Sequence, residues 1–297
     1  MPIAEPFLQI ALKRILVATD FSEWSNRALL AGLAIAQRYA SNMRVVHVVP
    51  SEGYGVTGVG MLGAVNFAQR NARDLESEFL RNGYFEGTRY QISVETGEVW
   101  PVVSRIVEDE GVDLVVVGTR GRSGLGKLLL GSVAEKIFRR SPCPVLTVGP
   151  NFELSFPRSA QPRSVLFPTD FSPQAEHALP YAVSLAREHE AQLTFLHVVQ
   201  RGSEAVYNKD RTVRYASARL QELMAATAGL IGKREFIVET GEPAEAIVKV
   251  AEVTGAELVV LGVRAPTILS DRLACSTAYG VVRQAHSPVM TVKQTKP

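Results

Sequence analysis

The sequence predicts an α/β fold: two tandem doubly wound domains, each a five-stranded parallel sheet of order 3-2-1-4-5 with helices on both faces. Three observations predict it. Short, continuous apolar runs alternate with stretches of helical period, as expected of strands buried on both faces and joined by helical crossovers. The whole pattern occurs twice in 297 residues, a length that suits two ordinary domains. A glycine-rich loop follows the fourth strand of the first copy, where the strand order of such a sheet reverses and ligands are usually held.

The first strand is read over 14–19 and closes on Thr19-Asp20-Phe21-Ser22. Ser22 is a helix N-cap, because its hydroxyl can accept from a free first-turn N–H. Ala28, Leu29, Leu33 and Ala36 follow at helical spacing. The second strand, 44–49, ends at Pro50. The glycine-rich 53–63 is read as a flap over the crevice, followed by a polar amphipathic helix over 64–82. A third strand over 89–94 leads through Glu95-Thr96-Gly97-Glu98 into a helix ending near Glu110. The fourth strand runs from Asp113 to Gly118; a helix from about Val133 to Arg140 and a strand over 144–148 complete the copy.

The second copy repeats these landmarks. Thr169-Asp170-Phe171-Ser172 matches 19–22, and His197-Val198-Val199 matches 47–49, both at an offset of 150. Glu239 to Glu242, Glu257 to Gly262 and Pro288 to Val292 match their first-copy counterparts at an offset of 144. A repeat of that period means two copies of one domain. The expected boundaries are 1–150 and 163–297, joined by a proline-containing linker over 151–162. Ser172-Pro173 supplies an N-cap and a first-turn proline to the second copy's first helix, and Pro180 is expected to kink it.

The stretch that carries chemistry is Gly118-Thr119-Arg120-Gly121, followed by Arg122, Ser123, Gly124, Gly126 and Lys127, then Gly131-Ser132. Between a strand and a helix, such a loop presents converging backbone N–H groups, flanking cations and the positive end of a helix dipole. Those features bind phosphate. Asp20 closes the neighbouring strand, where its carboxylate can accept from hydroxyl or amine donors in the same crevice, besides helping to cap the helix. Two near-matches are set aside. Gly121 to Leu128 resembles a P-loop, but Leu128 stands where Ser or Thr should hold Mg²⁺, and the loop follows the wrong strand. Gly58-Val59-Gly60-Met61-Leu62-Gly63 spells a dinucleotide fingerprint, yet it lies well past its strand and lacks the acidic partner.

In the second copy Gly121 is replaced by Ala265, Gly131 by Cys275 and Lys127 by Asp271. Side chains stand where glycine allowed close approach, and an anion replaces a cation. His47 and His197 lie inside apolar strands and read as core histidines with a satisfied N–H. No catalytic residue is indicated: Ser132 has no histidine placed to activate it in the local sequence.

Composition narrows the classes. Hydrophobic residues are 46% and charged residues 21% of the chain, as in ordinary globular proteins. A net charge of +2 creates no field that would draw the chain to nucleic acid or an anionic membrane. Cys143 and Cys275 lack metal-type pairing and fit a reducing compartment. Residues 1–12 carry Glu5 and no basic region of the kind a signal peptide needs. No apolar run approaches the roughly 18 residues of a membrane span. A cytoplasmic protein without nucleic-acid or membrane partners, and without a resident metal, is expected.

These motifs together resemble the universal stress protein family in its tandem form. The resemblance covers 13–148 and 163–292. It rests on Gly118-x2-Gly121-x9-Gly131-Ser132, on the Thr-Asp-Phe-Ser turn twice, on the His-Val-Val strand end twice and on the Pro-Val-x-Thr-Val last strand twice. It implies ATP-binding domains whose last strands pair about a twofold axis, so that the halves form a pseudo-dimer within one chain, with room for a homodimer and an unidentified protein partner. It implies that Thr19, Asp20 and the Val48 backbone hold the adenosine. Gly118, Arg120, Gly121, Arg122, Gly131, Ser132 and Val133 would surround the ribose and phosphates, with Mg²⁺ accompanying the ATP. In the second half Asp170, Val198, Gly262, Arg264 and Ser276 form a degenerate counterpart. The function implied is a nucleotide-dependent stress response with ATP in the first domain. The alternatives are a slow Mg-dependent ATPase or phosphotransferase, or a scaffold whose second domain binds a non-nucleotide ligand or protein.

Overall fold

The computed structural model describes residues 10–51, 58–119, 131–149, 152, 162–200, 209–264 and 277–293. The chain divides into two compact units, 11–160 and 161–297, with Ile10 grouped with the second.

The N-terminal unit runs β1 (Arg14–Ala18), α1 (Glu23–Tyr39), β2 (Asn42–Val49), α2 (Gly58–Arg81), β3 (Arg89–Thr96), α3 (Val99–Glu110), β4 (Leu114–Gly118), α4 (Ser132–Arg140) and β5 (Val145–Val148). The strands lie in the order β3-β2-β1-β4-β5, all parallel. Central β1 pairs on both sides: Leu16 lies opposite Arg44 of β2 and Val115 of β4. Ile15, Leu16 and Val17 are accordingly fully buried, and their unbroken apolar run is the consequence of two covered faces. Helix α1 packs on β1, β2, β4 and β5 and α2 on β2 and β3, while α3 packs on β1, β2 and α4, and α4 on β5. The right-handed rule for parallel crossovers assigns the first pair to one face and the second to the other. At the edge of the sheet, Arg44 bridges Glu95 at 2.8 Å and also pairs with Glu110 of α3.

Two boundaries differ from the sequence reading in a way that bears on the site. Helix α2 starts at Gly58, so 58–63 are helical turns, not part of a flap; 53–57 lie outside the described residues. Helix propensity counts each glycine against the helix by about 1 kcal/mol. Burial of Ala68, Leu75 and Phe79 along one face supplies more than that per residue. The same finding removes the dinucleotide fingerprint, whose glycines should form a turn before the helix. Helix α4 begins one residue earlier than expected, at Ser132.

The C-terminal unit comprises β6 (Ser164–Pro168), α5 (Pro173–Glu188), β7 (Gln192–Gln200), α6 (Lys209–Ala226), β8 (Arg234–Gly241), α7 (Pro243–Thr254), β9 (Leu258–Val263), α8 (Thr277–Gln284) and β10 (Val289–Lys293). Its order, β8-β7-β6-β9-β10, is that of the first unit and is again all parallel. Helix α5 is continuous through Pro180. The proline forfeits one backbone bond, but Ala178, Leu179, Ala182, Val183 and Leu185 bury the helix face on either side.

Candidate functional site

The site of the N-terminal unit begins where β1 ends. The Thr19 amide donates to the Val46 carbonyl at 2.9 Å, extending the parallel ladder by one residue. The chain then turns sharply, and two side chains hold the turn. Thr19 Oγ1 accepts from the Phe21 amide and Asp20 Oδ1 from the Ser22 amide, each at 3.0 Å; such local bonds are why Thr and Asp favour turns. Between them Phe21 adopts a left-handed backbone with φ 61°, a conformation that costs a non-glycine residue about 1–2 kcal/mol. Its ring lies on His47, with centroids 4.6 Å apart. His47 Nδ1 donates to the Thr19 carbonyl at 2.8 Å. A carbonyl only accepts, so the ring hydrogen sits on Nδ1. His47 therefore has the satisfied N–H expected of it, yet it forms a crevice wall and not core.

Across the switch point, β4 ends at Gly118, and the chain returns at Gly131, the N-cap of α4. The Gly131 amide donates to the Thr119 carbonyl at 2.9 Å, and no side chain caps the helix. The first intrahelical bond runs from the Glu135 amide to the Gly131 carbonyl at 2.9 Å. The amides of Ser132, Val133 and Ala134 consequently lack intrahelical acceptors at the positive end of the helix dipole. Gly131 has φ −59° and ψ 142°, which any residue adopts. Glycine is not required there for backbone freedom; what it provides is the absence of a side chain.

These elements enclose a crevice of about 340 Å³, within the usual range for small-molecule sites. Thr19, Asp20, Val48, Gly118, Gly131, Ser132 and Val133 all line it. Arg120, Gly121 and Arg122, with the rest of the loop through Leu130, lie outside the described residues. The structure adds lining residues that sequence reasoning missed: Ser25, Pro50 and Val99. Ser25 was detectable as the third residue after the Ser22 cap, whose hydroxyl it meets through its amide at 3.2 Å. Val99 offered no signal before the strands were assembled.

The C-terminal unit reproduces the turn. The Phe171 amide donates to Thr169 Oγ1 and the Ser172 amide to Asp170 Oδ1, each at 3.0 Å. Phe171 has φ 59°, its ring stacks on His197 at 4.7 Å, and His197 Nδ1 donates to the Thr169 carbonyl at 2.8 Å. Asp170, Val198 and Gly262 line a second crevice of about 460 Å³. Arg264 is not among its lining residues, and Ala265, Cys275 and Ser276 lie outside the described residues. Sequence reasoning also missed Gln200, Thr212, Pro243 and Ile247 of this wall.

Among the described residues no group of three or more His, Cys, Asp or Glu side chains converges as a metal site. Among the same residues no helix is long and apolar enough to cross a membrane.

Fold and site thus define a tandem pair of doubly wound α/β domains, each with a crevice at the C-terminal ends of its strands. The family model described as the universal stress protein family matches residues 11–149 and again 162–293. The chain belongs to the universal stress protein family. The universal stress protein YxiE of Bacillus subtilis is 31% identical over 146 residues, which cover 46% of this chain and 97% of that relative. The universal stress protein MJ0577 of Methanocaldococcus jannaschii is 28% identical over 158 residues, 48% of this chain and 97% of the relative. Each relative corresponds to a single unit. Over the full length, the chain is similar in fold to a universal stress protein from Archaeoglobus fulgidus, with a TM-score of 0.71 at 23% identity, covering 97% of this chain and all of that one.

Proposed function

We propose that the N-terminal unit binds ATP and that occupancy, not turnover, is its output in a stress response. Asp20 accepts from the ribose or adenine, the backbone at Val48 meets the adenine, and the apolar walls at Val46 and Val48 cover the base. Gly118, Gly131 and the open amides of Ser132 and Val133 receive the phosphates, and the sequence offers Arg120, Gly121 and Arg122 as further phosphate partners. The observation that carries this reading is the crevice itself, in which an uncapped helix start and a strand-end carboxylate share one space. An anionic tail suits the first and a hydroxyl-bearing or amine-bearing group the second. The acidic donor set is too small for a dedicated metal cage, so Mg²⁺ would be carried chiefly by the nucleotide's own phosphates. A nucleotide-dependent change in the surface offered to a protein partner would then transmit the signal.

Mass spectrometry of the small molecules released from purified, denatured protein tests this directly, together with calorimetric titration by Mg-ATP. One ATP per chain is expected, with ATP recovered intact after prolonged incubation. A chain that carries no nucleotide and gives no heat with Mg-ATP refutes it, and steady accumulation of ADP would move the reading to a slow ATPase.

A further inference from the structure

We infer that the C-terminal crevice is a second, independent site for an uncharged nucleoside, one that accepts the base and sugar and rejects the phosphates. The inference rests on the reading of the first crevice as a nucleotide site, because it arises from comparing the two.

At one end of the crevice the hydrogen bonds that shape the strand-one turn are duplicated, although Ser25, which meets Thr19 Oγ1 at 3.0 Å in the first crevice, is Ala175 in the second. The carboxylate-to-amide bond is 3.0 Å in both units, at Asp20 and at Asp170. The histidine-to-carbonyl bond is 2.8 Å in both, at His47 and at His197. The left-handed phenylalanine has φ 61° in one and 59° in the other. A strained turn kept to within a few degrees presents a matching carboxylate beside an apolar wall in each unit. A strand-end carboxylate at a switch point is a receptor for sugar hydroxyls, and Leu196, Val198 and Leu261 offer the apolar surface that a base requires.

The other end is not duplicated. By sequence, the loop between the fourth strand and the following helix carries three cations and no anion in the first unit: Arg120, Arg122 and Lys127. Its counterpart carries Arg264 and Arg272 against Asp271, and cysteine replaces the glycine at the helix start. Neutral hydrogen-bonding groups appear instead among the lining residues. Gln200 stands where the first unit has Pro50, Thr277 stands where it has Val133, and Thr212 enters from α6. Helix α6 is itself fastened to the turn, with the Arg219 guanidinium 5.5 Å over the face of Phe171. Amide and hydroxyl side chains match a neutral ligand's heteroatoms and, unlike Arg or Lys, bring no positive charge to balance a triphosphate.

The test is calorimetry on the full chain with adenosine as probe, first alone and then after saturation with Mg-ATP. The expected result is one ATP per chain and, with ATP in place, one further adenosine. Asp170→Asn keeps an acceptor for the Ser172 amide and should weaken that adenosine at least tenfold while leaving ATP binding unchanged. Gly131→Val should show the reverse, losing ATP and keeping the adenosine. Two equivalents of ATP with matching affinity, or adenosine that only competes with a single ATP, overturns the inference and leaves the first site standing. No ATP, but one adenosine sensitive to Asp170→Asn, would refute the nucleotide reading of the N-terminal unit and uphold the second site.

Discussion

The α-carbon of Gly262 lies directly against the first turn of α5. A β-carbon on it would stand 2.2 Å from the Gln174 carbonyl oxygen and 2.7 Å from the Ala175 amide nitrogen. Both neighbours are backbone, so neither can swing aside. Glycine at the end of this strand is needed for helix and strand to meet, whatever the crevice holds. Gly262→Ala is therefore expected to destabilise the C-terminal unit by about 1–3 kcal/mol through overpacking. Urea unfolding checks this; a midpoint equal to wild type would show that the α5 start is free to move.

The turn residue Phe21 sets strain against stacking. Its left-handed backbone costs about 1–2 kcal/mol for any side chain but glycine, and the contact with His47 returns about 0.5–1.5 kcal/mol. Phe21→Ala loses the contact and keeps the strain, whereas Phe21→Gly loses both. The alanine variant is expected to be less stable than the glycine variant by about 1 kcal/mol, measured by thermal unfolding. Equal stabilities would mean that the turn relaxes once the ring is gone.

Arg44 stands between Glu95 and Glu110 with its side chain only 18% exposed. Arg44→Ala takes the shared cation from Glu95 and Glu110 and leaves Glu95 to Arg105, which bridges it at 3.2 Å, at an expected cost of about 1–2 kcal/mol. Arg44→Met, which keeps the stem's packing, separates the charge from the burial. If the methionine variant matches wild type, the ion pairs contribute nothing to stability.

Gly131 allows binding and stability to be pulled apart. Serine at this N-cap can accept from a first-turn amide of α4, so Gly131→Ser is expected to stabilise the helix by a few tenths of a kcal/mol. The same hydroxymethyl group occupies the space where phosphates would approach, close in size to the Cys275 side chain at the matching place in the second copy. Affinity for Mg-ATP should fall at least tenfold while the unfolding midpoint holds or rises. Undiminished affinity would place the phosphates elsewhere.

Much of this was legible from the residues. Runs such as Ile15 to Ala18 read as buried parallel strands because both faces are covered in this fold, and the repeat at offsets of 150 and 144 announced the second domain. Ser22 and Ser172 read as caps because capping depends only on neighbours, and both accept from the amide three residues on. The start of α2 was not legible. Gly58, Gly60 and Gly63 argue locally for a loop, and only the burial of Ala68, Leu75 and Phe79 against the sheet decides for helix. Asp20 was visible as a strand-end carboxylate, but its placement in one crevice with Ser132 required the β1–β4 pairing. The reasons for the glycines also belong to the tertiary structure. Gly262 answers to α5, and Gly131 has an ordinary backbone, distinctions that no one-dimensional motif contains. Local chemistry thus determined the caps, the strands and the repeat. The assembled sheet decided which distant residues share a crevice, because proximity across a parallel sheet is set by register and not by separation along the chain.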